Sequence, residues 1–301
     1  MLSLCAVYHK LFDQGEIVMK KKIITIVQVI IGAALLLGLF NIVYVFLDYR
    51  TGESSYDELA ALAVIPEAVI PETTTQSILT EKTESIPEET LETVETIQEE
   101  MDDTVWPVID FAALQQINPD IIGWIYIEDT KINYPITYSG DNDYYLNHLY
   151  DGTSNSAGCI FLDKECAKDF SMPNSVIYGH NMGNGTMFRG ILNYKTQEFY
   201  NEHPIGLLIT PNAKYKIEFF SAYVANATLG SSLHNAWDLN FTEDGYVEWL
   251  KQISERSLFQ SEAVPQNEDR VLTLSTCTYD FENARFVLHG ILREQIDQPN
   301  T

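Results

Sequence analysis

The stretch VLTLSTCTYDFENARFVLHGIL, residues 271–292, decides the fold because it holds two strand-like runs joined by a short polar connection. Both runs, 271–276 and 285–292, are rich in leucine, β-branched and aromatic residues, a composition that favours strands. Cys277 follows the first run directly, and Arg285 opens the second. A tight connection would therefore set the thiol and the guanidinium side by side at one end of a sheet.

Six more strand-like runs precede this stretch. They are residues 121–127, 131–137, 159–162, 175–178, 205–210 and 215–223. Short strands separated by turns, with only brief helical insertions, indicate a closed or nearly closed barrel and not a βαβ sheet. Two helices are predicted between them: one capped by Asp110 and ending at Ile117, and a longer one over 242–256, capped by Thr242. The fold class is thus mostly β, an eight-stranded barrel with short helices.

An apolar run over residues 23–47 predicts a transmembrane helix, since about 20 apolar residues cross a bilayer core. Lys20, Lys21 and Lys22 precede the run, which predicts a cytoplasmic N-terminus (residues 1–22) and an extracytoplasmic location for the rest of the chain. A cleaved signal peptide is the alternative, but the run exceeds the usual 7–15 residues and no small-residue cleavage site follows it. Translation could begin at Met19, where a Met-Lys-Lys-Lys start resembles a complete N-terminus.

Residues 48–104 are predicted to form a disordered, acidic stalk. Within 51–104 there are 15 acidic residues against Lys82, together with many Thr and Pro, a composition that disfavours a packed core. A weak helix over 88–100 is the alternative. The remaining domain, 105–301, is also acidic, with 25 acidic residues against 12 basic ones. Neither zone offers the basic stripe that nucleic acid would need.

Three residues at predicted strand ends suggest nucleophilic catalysis. Cys277 has no sequence neighbour with which to pair, and His180 follows a strand that breaks at Gly179. An imidazolium raises the thiolate fraction of a nearby thiol and can protonate a leaving amine. Arg285 can stabilise the carbonyl oxygen that gains negative charge during attack.

Each of these three residues also has an ordinary structural interpretation. Cys277 could be a small buried apolar residue, His180 a histidine satisfied by loop hydrogen bonds, and Arg285 a surface partner of Glu282. His289 is the rival to His180, because strand alternation places it on the same face as Arg285. No Cys/His spacing typical of a metal site is present, so no metal is predicted.

The combination of TLSTC at 273–277, YGHNM at 178–182 and an arginine opening the last strand resembles the sortase family, specifically the class B sortases. The similarity extends over most of the globular part. Further segments that resemble class B sortases are DFAALQQINPDIIGWIYI (110–127), INYPI (132–136), DNDYYLNH (141–148), AGCIFLD (157–163), MFRGILNY (187–194) and FFSAY (219–223).

The resemblance implies a sortase-type barrel at 105–301, with a long helix between its sixth and seventh strands and no cofactor. It implies that Cys277 attacks the carbonyl between Thr and the residue that follows it in a C-terminal sorting signal. A thioacyl enzyme forms, while His180 protonates the departing amine. Partners would then be surface proteins that carry such signals, and an acceptor amine from a cell-wall precursor or from a pilin lysine. Positions that match the family's substrate groove are Asn142, Leu146, Tyr178 and Ser275, each of which could instead serve barrel packing.

Some positions depart from the pattern. Cys159 stands where a small residue such as serine is expected, and Cys166 has no counterpart. These two cysteines could pair, although their closeness on a strand and the adjoining turn makes strain-free geometry hard to reach. The connection from Cys277 to Arg285 is short, and the segment 225–240 is long, so the preferred motif does not follow from the resemblance. A catalytically silent binding module and a thiol protease that stops at hydrolysis are the competing functions.

Overall fold

The computed structural model describes residues 2–60, 63–64, 104–228, 230–231 and 233–295. Most of the predicted stalk, including the possible helix over 88–100, lies outside the described residues. The first described elements are helix α1 (Leu2–Ala60), the short strands β1 (Ala63–Val64) and β2 (Val108–Ile109), and helix α2 (Phe111–Ile117). Asp110 caps α2 as predicted, because its side chain accepts a hydrogen bond from the amide of Ala113.

Eight further strands form a closed barrel, as the sequence predicts. In chain order they are β3 (Ile121–Tyr126), β4 (Asn133–Thr137), β5 (Ile160–Leu162), β6 (Asn174–Tyr178), β7 (Ile205–Ile209), β8 (Lys214–Asn226), β9 (Val271–Cys277) and β10 (Ala284–Gln295). Around the barrel the order is β10, β8, β7, β3, β4, β5, β6 and β9, and β9 pairs with β10 to close it. The contacts β4–β5 and β6–β9 are parallel, and the others are antiparallel.

Short helices connect the strands. Besides α2 they are α3 (Gln197–Glu202), α4 (Glu243–Glu255) and three 3₁₀ helices, Tyr144–Leu146, Phe188–Lys195 and His234–Trp237. The long helix α4 lies between the sixth and seventh barrel strands, where the resemblance placed it. Thr242 caps it by accepting from the amide of Gly245, and Glu243 and Asp244 occupy the first turn, where the helix dipole favours acidic residues.

Two apolar clusters hold the domain together. The larger includes the barrel interior and the elements packed on its wall, with Trp124, Ile125 and Phe286 fully buried. The smaller lies outside the barrel wall, where Tyr246, Trp249, Leu250 and Ile253 of α4 pack on β8 and β10. These α4 residues recur at i, i+3, i+4 and i+7, the spacing that places side chains on one helix face.

The helix α1 differs from the sequence prediction at its C-terminal end. Within it, Lys20–Ala60 includes a window long and apolar enough to cross a membrane, and none of that window is buried against the protein. We expected the helix to end near Leu47, but it continues for 13 more residues to Ala60. The continuation carries Tyr56 and Leu59 on one face, and both are buried against the barrel.

Candidate active site

Cys277 and Arg285 lie next to each other at one end of the barrel. Cys277 is the last residue of β9, and it is the direct antiparallel partner of Arg285 in β10. Both side chains are half-buried. The short connection between the strands therefore brings the thiol and the guanidinium together, as the sequence predicts from their spacing.

His180 reaches the same end because β6 and β9 run parallel. Tyr178 is the register partner of Ser275, so two more residues along each strand lead to His180 and Cys277. Hydrogen bonds extend the pairing beyond β6: the amide of Gly179 donates to the Ser275 carbonyl at 3.1 Å, and the Thr276 hydroxyl donates to the Gly179 carbonyl at 2.7 Å. A side chain at Gly179 would meet the ring of Phe188 at 2.7 Å, which explains the glycine before the histidine.

The imidazole of His180 is oriented by a backbone carbonyl. Its Nε2 atom lies 2.6 Å from the carbonyl oxygen of Leu146. Because a carbonyl oxygen only accepts, Nε2 must be the donor, and Nδ1 is left for proton exchange. One residue that we predicted from the family's groove thus holds the predicted catalytic base through its main chain.

Asn181 is a site residue that the sequence analysis did not single out, although it lies within the quoted YGHNM motif. Its Nδ2 donates to the carbonyl of Cys277 at 2.8 Å, and its Oδ1 accepts from Nη1 of Arg189 at 3.0 Å. The residue after the histidine therefore fixes the backbone of the cysteine. This contact connects the ends of β6 and β9.

The guanidinium of Arg285 is not used in an ion pair with any described carboxylate. Its Nη1 donates to the carbonyl of Ala284 at 3.0 Å. The alternative interpretation, a surface pair with Glu282, is not found among the ion pairs of the described residues. The remaining donors of Arg285 are thus free to bind a carbonyl oxygen in the cavity.

All seven predicted site residues line a single cavity of about 220 Å³. The predicted groove residues Asn142, Leu146, Tyr178 and Ser275 join the three predicted catalytic residues there. The complete lining is Asn142, Leu146, Phe161, Tyr178, Gly179, His180, Ser275, Thr276, Cys277 and Arg285. The structure places these residues together, and their individual roles remain predictions.

Asp163 organises one wall of this cavity. Its Oδ2 accepts from Nδ2 of Asn142 and from the hydroxyl of Tyr178, each at 2.9 Å, and Oδ1 accepts from the amide of Glu165. The carboxylate is buried. Burial, followed by the charge of Asp163, raises the pKa of Tyr178 above its usual range, so this phenol stays a donor. Asp163 ends the quoted AGCIFLD segment, but no local signal distinguished it from a turn residue.

The hydroxyl of Ser275 lies on the outer face of the barrel wall and is not part of the packing inside the barrel. Its Oγ accepts from Nε1 of Trp237 at 3.1 Å, and the side chain is buried. Trp237 belongs to the segment 225–240, which the sequence analysis identified as long for a class B sortase. Trp237 borders a neighbouring cavity that also contacts Asn142 and Tyr178.

The rival histidine lies elsewhere. His289 is completely buried under α4, with Nδ1 2.9 Å from the hydroxyl of Thr273 and Trp249 packed edge-on against its ring. Burial lowers the pKa of His289 to about 3, and the charge of Arg256 contributes to the shift. A neutral, enclosed imidazole cannot exchange protons with a substrate, so His289 is excluded as the catalytic base.

Cys159 and Cys166 do not pair. Both are free, buried thiols, and the sulfur of Cys166 accepts from the amide of Val176 at 3.4 Å. Burial raises the pKa of each thiol to about 11. The possible disulfide is therefore absent. In contrast to these two buried thiols, Cys277 lines the cavity. The described part of the chain also contains no group of three His, Cys, Asp or Glu side chains placed to hold a metal ion.

No family model matches the chain. It is, however, 36% identical over 181 residues to sortase B of Listeria monocytogenes, an alignment that covers 60% of this chain and 72% of that protein. The chain belongs to the class B sortases. As a member of this family it is a cysteine transpeptidase.

Solved structures of class B sortases have the same fold as this sortase. That of Clostridium perfringens sortase B is 36% identical, with a TM-score of 0.57, and the match covers 61% of this chain and 100% of the other. The Staphylococcus aureus sortase B–substrate complex is 30% identical, also with a TM-score of 0.57, and the match covers 62% of this chain and 85% of the other. These matches confirm the eight-stranded sortase barrel.

Proposed function

We propose that Cys277 is the nucleophile of a transpeptidation that cleaves a C-terminal sorting signal after Thr. The observation that carries this proposal is the convergence of Cys277, His180 and Arg285 on one cavity through the paired strands β6, β9 and β10. The sequence resemblance and the family membership both favour the same three residues. A thiol, an imidazole and a guanidinium are sufficient for acyl transfer without a metal.

The first half-reaction forms a thioester. The thiolate of Cys277 attacks the carbonyl carbon, and the oxygen that becomes negative accepts hydrogen bonds from Arg285. The C–N bond then breaks, and His180 donates its proton to the departing amine. The products are a thioacyl enzyme and the released C-terminal fragment.

The second half-reaction forms the new amide. An acceptor amine attacks the thioester carbonyl, His180 takes the proton that the amine loses, and the C–S bond breaks to regenerate the thiolate. Because His180 is held through Nε2 by the Leu146 carbonyl, Nδ1 is the nitrogen that we assign to both proton transfers.

The substrate would lie in the groove formed by Asn142, Leu146, Tyr178 and Ser275. The S. aureus structure is a sortase B–substrate complex, which supports a substrate site in this fold. For this chain we propose a sorting-signal peptide as the donor and a cell-wall precursor amine as the acceptor. A pilin lysine is the alternative acceptor, and a direct assay distinguishes the two.

The location that we propose is the cell membrane. The apolar helix would cross the bilayer once, with Lys20, Lys21 and Lys22 on the cytoplasmic side and the catalytic domain, residues 105–301, outside the cell. A single N-terminal anchor would keep the enzyme beside newly exported substrates.

The test is an assay of the detergent-solubilised chain with a library of five-residue sorting peptides. Mass spectrometry should detect a thioacyl adduct on Cys277, and added amines should divert it into new amides. Comparing cell-wall precursor peptides with a pilin lysine peptide identifies the acceptor. An adduct that only water resolves would support a thiol protease instead. If no peptide forms an adduct with the wild-type chain, and Cys277→Ala behaves in the same way, the silent binding module is the function that fits.

A further inference from the structure

The helix α1 contacts the barrel as soon as its apolar run ends. Leu47 is the last residue of that run, and Asp48 accepts hydrogen bonds from Nδ2 of Asn155 on its carbonyl at 2.8 Å and on Oδ1 at 3.1 Å. The amide and the hydroxyl of Ser156 donate to Oδ2 of the same carboxylate. The loop that contains Asn155 thus meets the helix one residue after the end of the apolar run.

In the next turn, a glycine lets the helix backbone come close to the barrel. Gly52 is buried, and a Cβ atom there would lie 2.8 Å from Oδ1 of Asn155 and 3.2 Å from Cβ of Ala157. On the flank of the helix, Lys131 forms an ion pair with Glu53 at 3.3 Å. A helix whose backbone comes this near to the barrel is fitted against it.

Tyr56 is the central contact of this docking segment, residues 48–60. Its hydroxyl donates to the Gly158 carbonyl at 2.6 Å, and its ring packs against those of Tyr134 and Tyr150 at 5.2 and 5.6 Å. It is 5% exposed, Leu59 is 2% exposed, and both belong to the larger apolar cluster. Burial raises the pKa of the Tyr56 hydroxyl well above its usual range.

The short ladder β1–β2 then returns the chain to its starting point. Ala63 pairs with Ile109 and Val64 pairs with Val108, in antiparallel register. Neighbouring strands lie about 5 Å apart, so Val64 and Val108, at the two ends of the connection between these strands, lie at nearly one place. The length of that connection therefore does not set the distance between the anchor helix and the barrel.

We infer that the docking segment holds the catalytic barrel against the membrane surface, so that residues 48–60 join the anchor helix directly to the barrel. The helix rises about 1.5 Å per residue, so Tyr56 would lie only about 14 Å beyond Leu47. The barrel face around Asn155–Gly158 would therefore meet the lipid headgroups. This inference rests on the proposed membrane anchor but not on the proposed reaction.

The first test is a disulfide between helix and barrel in the full chain, reconstituted into phosphatidylcholine vesicles. The pair Gly52→Cys with Ala157→Cys should oxidise readily, because the two Cβ atoms would lie 3.2 Å apart, near disulfide distance, and the one closer contact is with the rotatable side-chain amide of Asn155. Ser54→Cys with Ala157→Cys is the matched control, since Ser54 is exposed. Both pairs are made in a Cys277→Ala background to remove the cavity thiol.

The second test cuts the acidic connection. A protease site placed within residues 65–103 is cleaved on the vesicles, and the location of the fragment that contains the barrel is measured by sedimentation. Docking predicts that this fragment stays in the vesicle pellet, and that Tyr56→Ala increases its release. Without reducing agent, the Gly52–Ala157 disulfide should retain it completely.

The inference is overturned if the Gly52 and Ser54 pairs oxidise equally slowly and the cleaved barrel leaves the vesicles. Neither readout requires turnover, so this failure would leave the proposed transpeptidation untouched. Conversely, a chain with Cys277 intact that shows no turnover, while the Gly52 pair still oxidises in the Cys277→Ala background, would contradict the proposed function alone.

Discussion

The carboxylate of Asp163 accepts a hydrogen bond from the phenol of Tyr178 at 2.9 Å, on the same oxygen that accepts from Asn142. A buried carboxylate thus sets the orientation of two side chains in the proposed substrate groove. Hydrogen bonds to a charged group are stronger than neutral ones, and their loss leaves buried donors unpaired.

Asp163→Asn should therefore weaken peptide binding more than it slows chemistry. The variant has only one acceptor oxygen for three donors. Its new NH2 group is itself a donor and would face one of them. We expect KM for a sorting peptide to rise about tenfold, which corresponds to about 1.4 kcal/mol, while kcat changes less. Steady-state kinetics measure the split. Glu165→Gln is the control because Glu165 is exposed. An equal fall in kcat with unchanged KM would contradict a role in the groove.

Arg285→Ala should reduce kcat by about 10²- to 10³-fold, because it removes the donors assigned to the developing oxyanion. Arg285→Lys should recover only part of this loss, since an ammonium lacks the planar fork of a guanidinium. Arg270→Ala is a suitable control, as Arg270 pairs with the exposed Glu294 outside the cavity. Full activity in Arg285→Ala would exclude the proposed role.

Cys277 should be the one thiol of the domain that reacts with iodoacetamide at pH 7. Thiolates are the reactive species, and the raised pKa of about 11 leaves Cys159 and Cys166 protonated as well as buried. Peptide mapping in a Cys5→Ser background should find one modified cysteine in the native protein and three in urea. Labelling of native Cys277→Ala at Cys166 would show that the buried thiols are accessible.

The buried His289 should make the folded protein less stable in acid. The folded pKa of about 3 lies below the ordinary value near 6.5, so between these values the unfolded state binds more protons. The free energy of unfolding should therefore fall as pH decreases through this window, by up to about 1.4 kcal/mol per pH unit. His289→Gln cannot titrate, and it should lose this component.

Urea unfolding of residues 48–301 at several pH values measures the difference between wild type and His289→Gln. Carboxylates contribute equally to both proteins, so the difference isolates the histidine. Parallel stability curves for the two proteins between pH 6.5 and 3 would show that His289 is protonated in the folded state.

The strand pattern and the site could be predicted together because both are local. Short runs rich in leucine, β-branched and aromatic residues locate the eight strands, and TLSTC and YGHNM place a thiol and an imidazole at strand ends. The parallel contact of β6 with β9 then brings these residues to one cavity. The spacing in sequence was enough to predict that Cys277 lies beside Arg285, because a short connection allows few arrangements of the two strands that it joins.

Other features depend on contacts that local sequence does not specify. Asp163 and Asn181 act through partners many residues away, and neither stands out in composition. The acidic composition after Leu47 concealed Tyr56 and Leu59, two apolar side chains with a helical spacing. Their burial requires a barrel surface that the segment itself does not contain, so averaging charge over residues 48–104 predicted a spacer throughout.

The parallel pairing of β6 and β9 also determines when the enzyme becomes reactive. Asn181 and Cys277 touch across a separation of 96 residues, so the thiol and the imidazole meet only after almost the whole barrel has closed. A sliding of either strand by one rung would turn one of the two side chains to the opposite face. An unfolded chain therefore has an unassisted thiol, and the site is completed by folding itself.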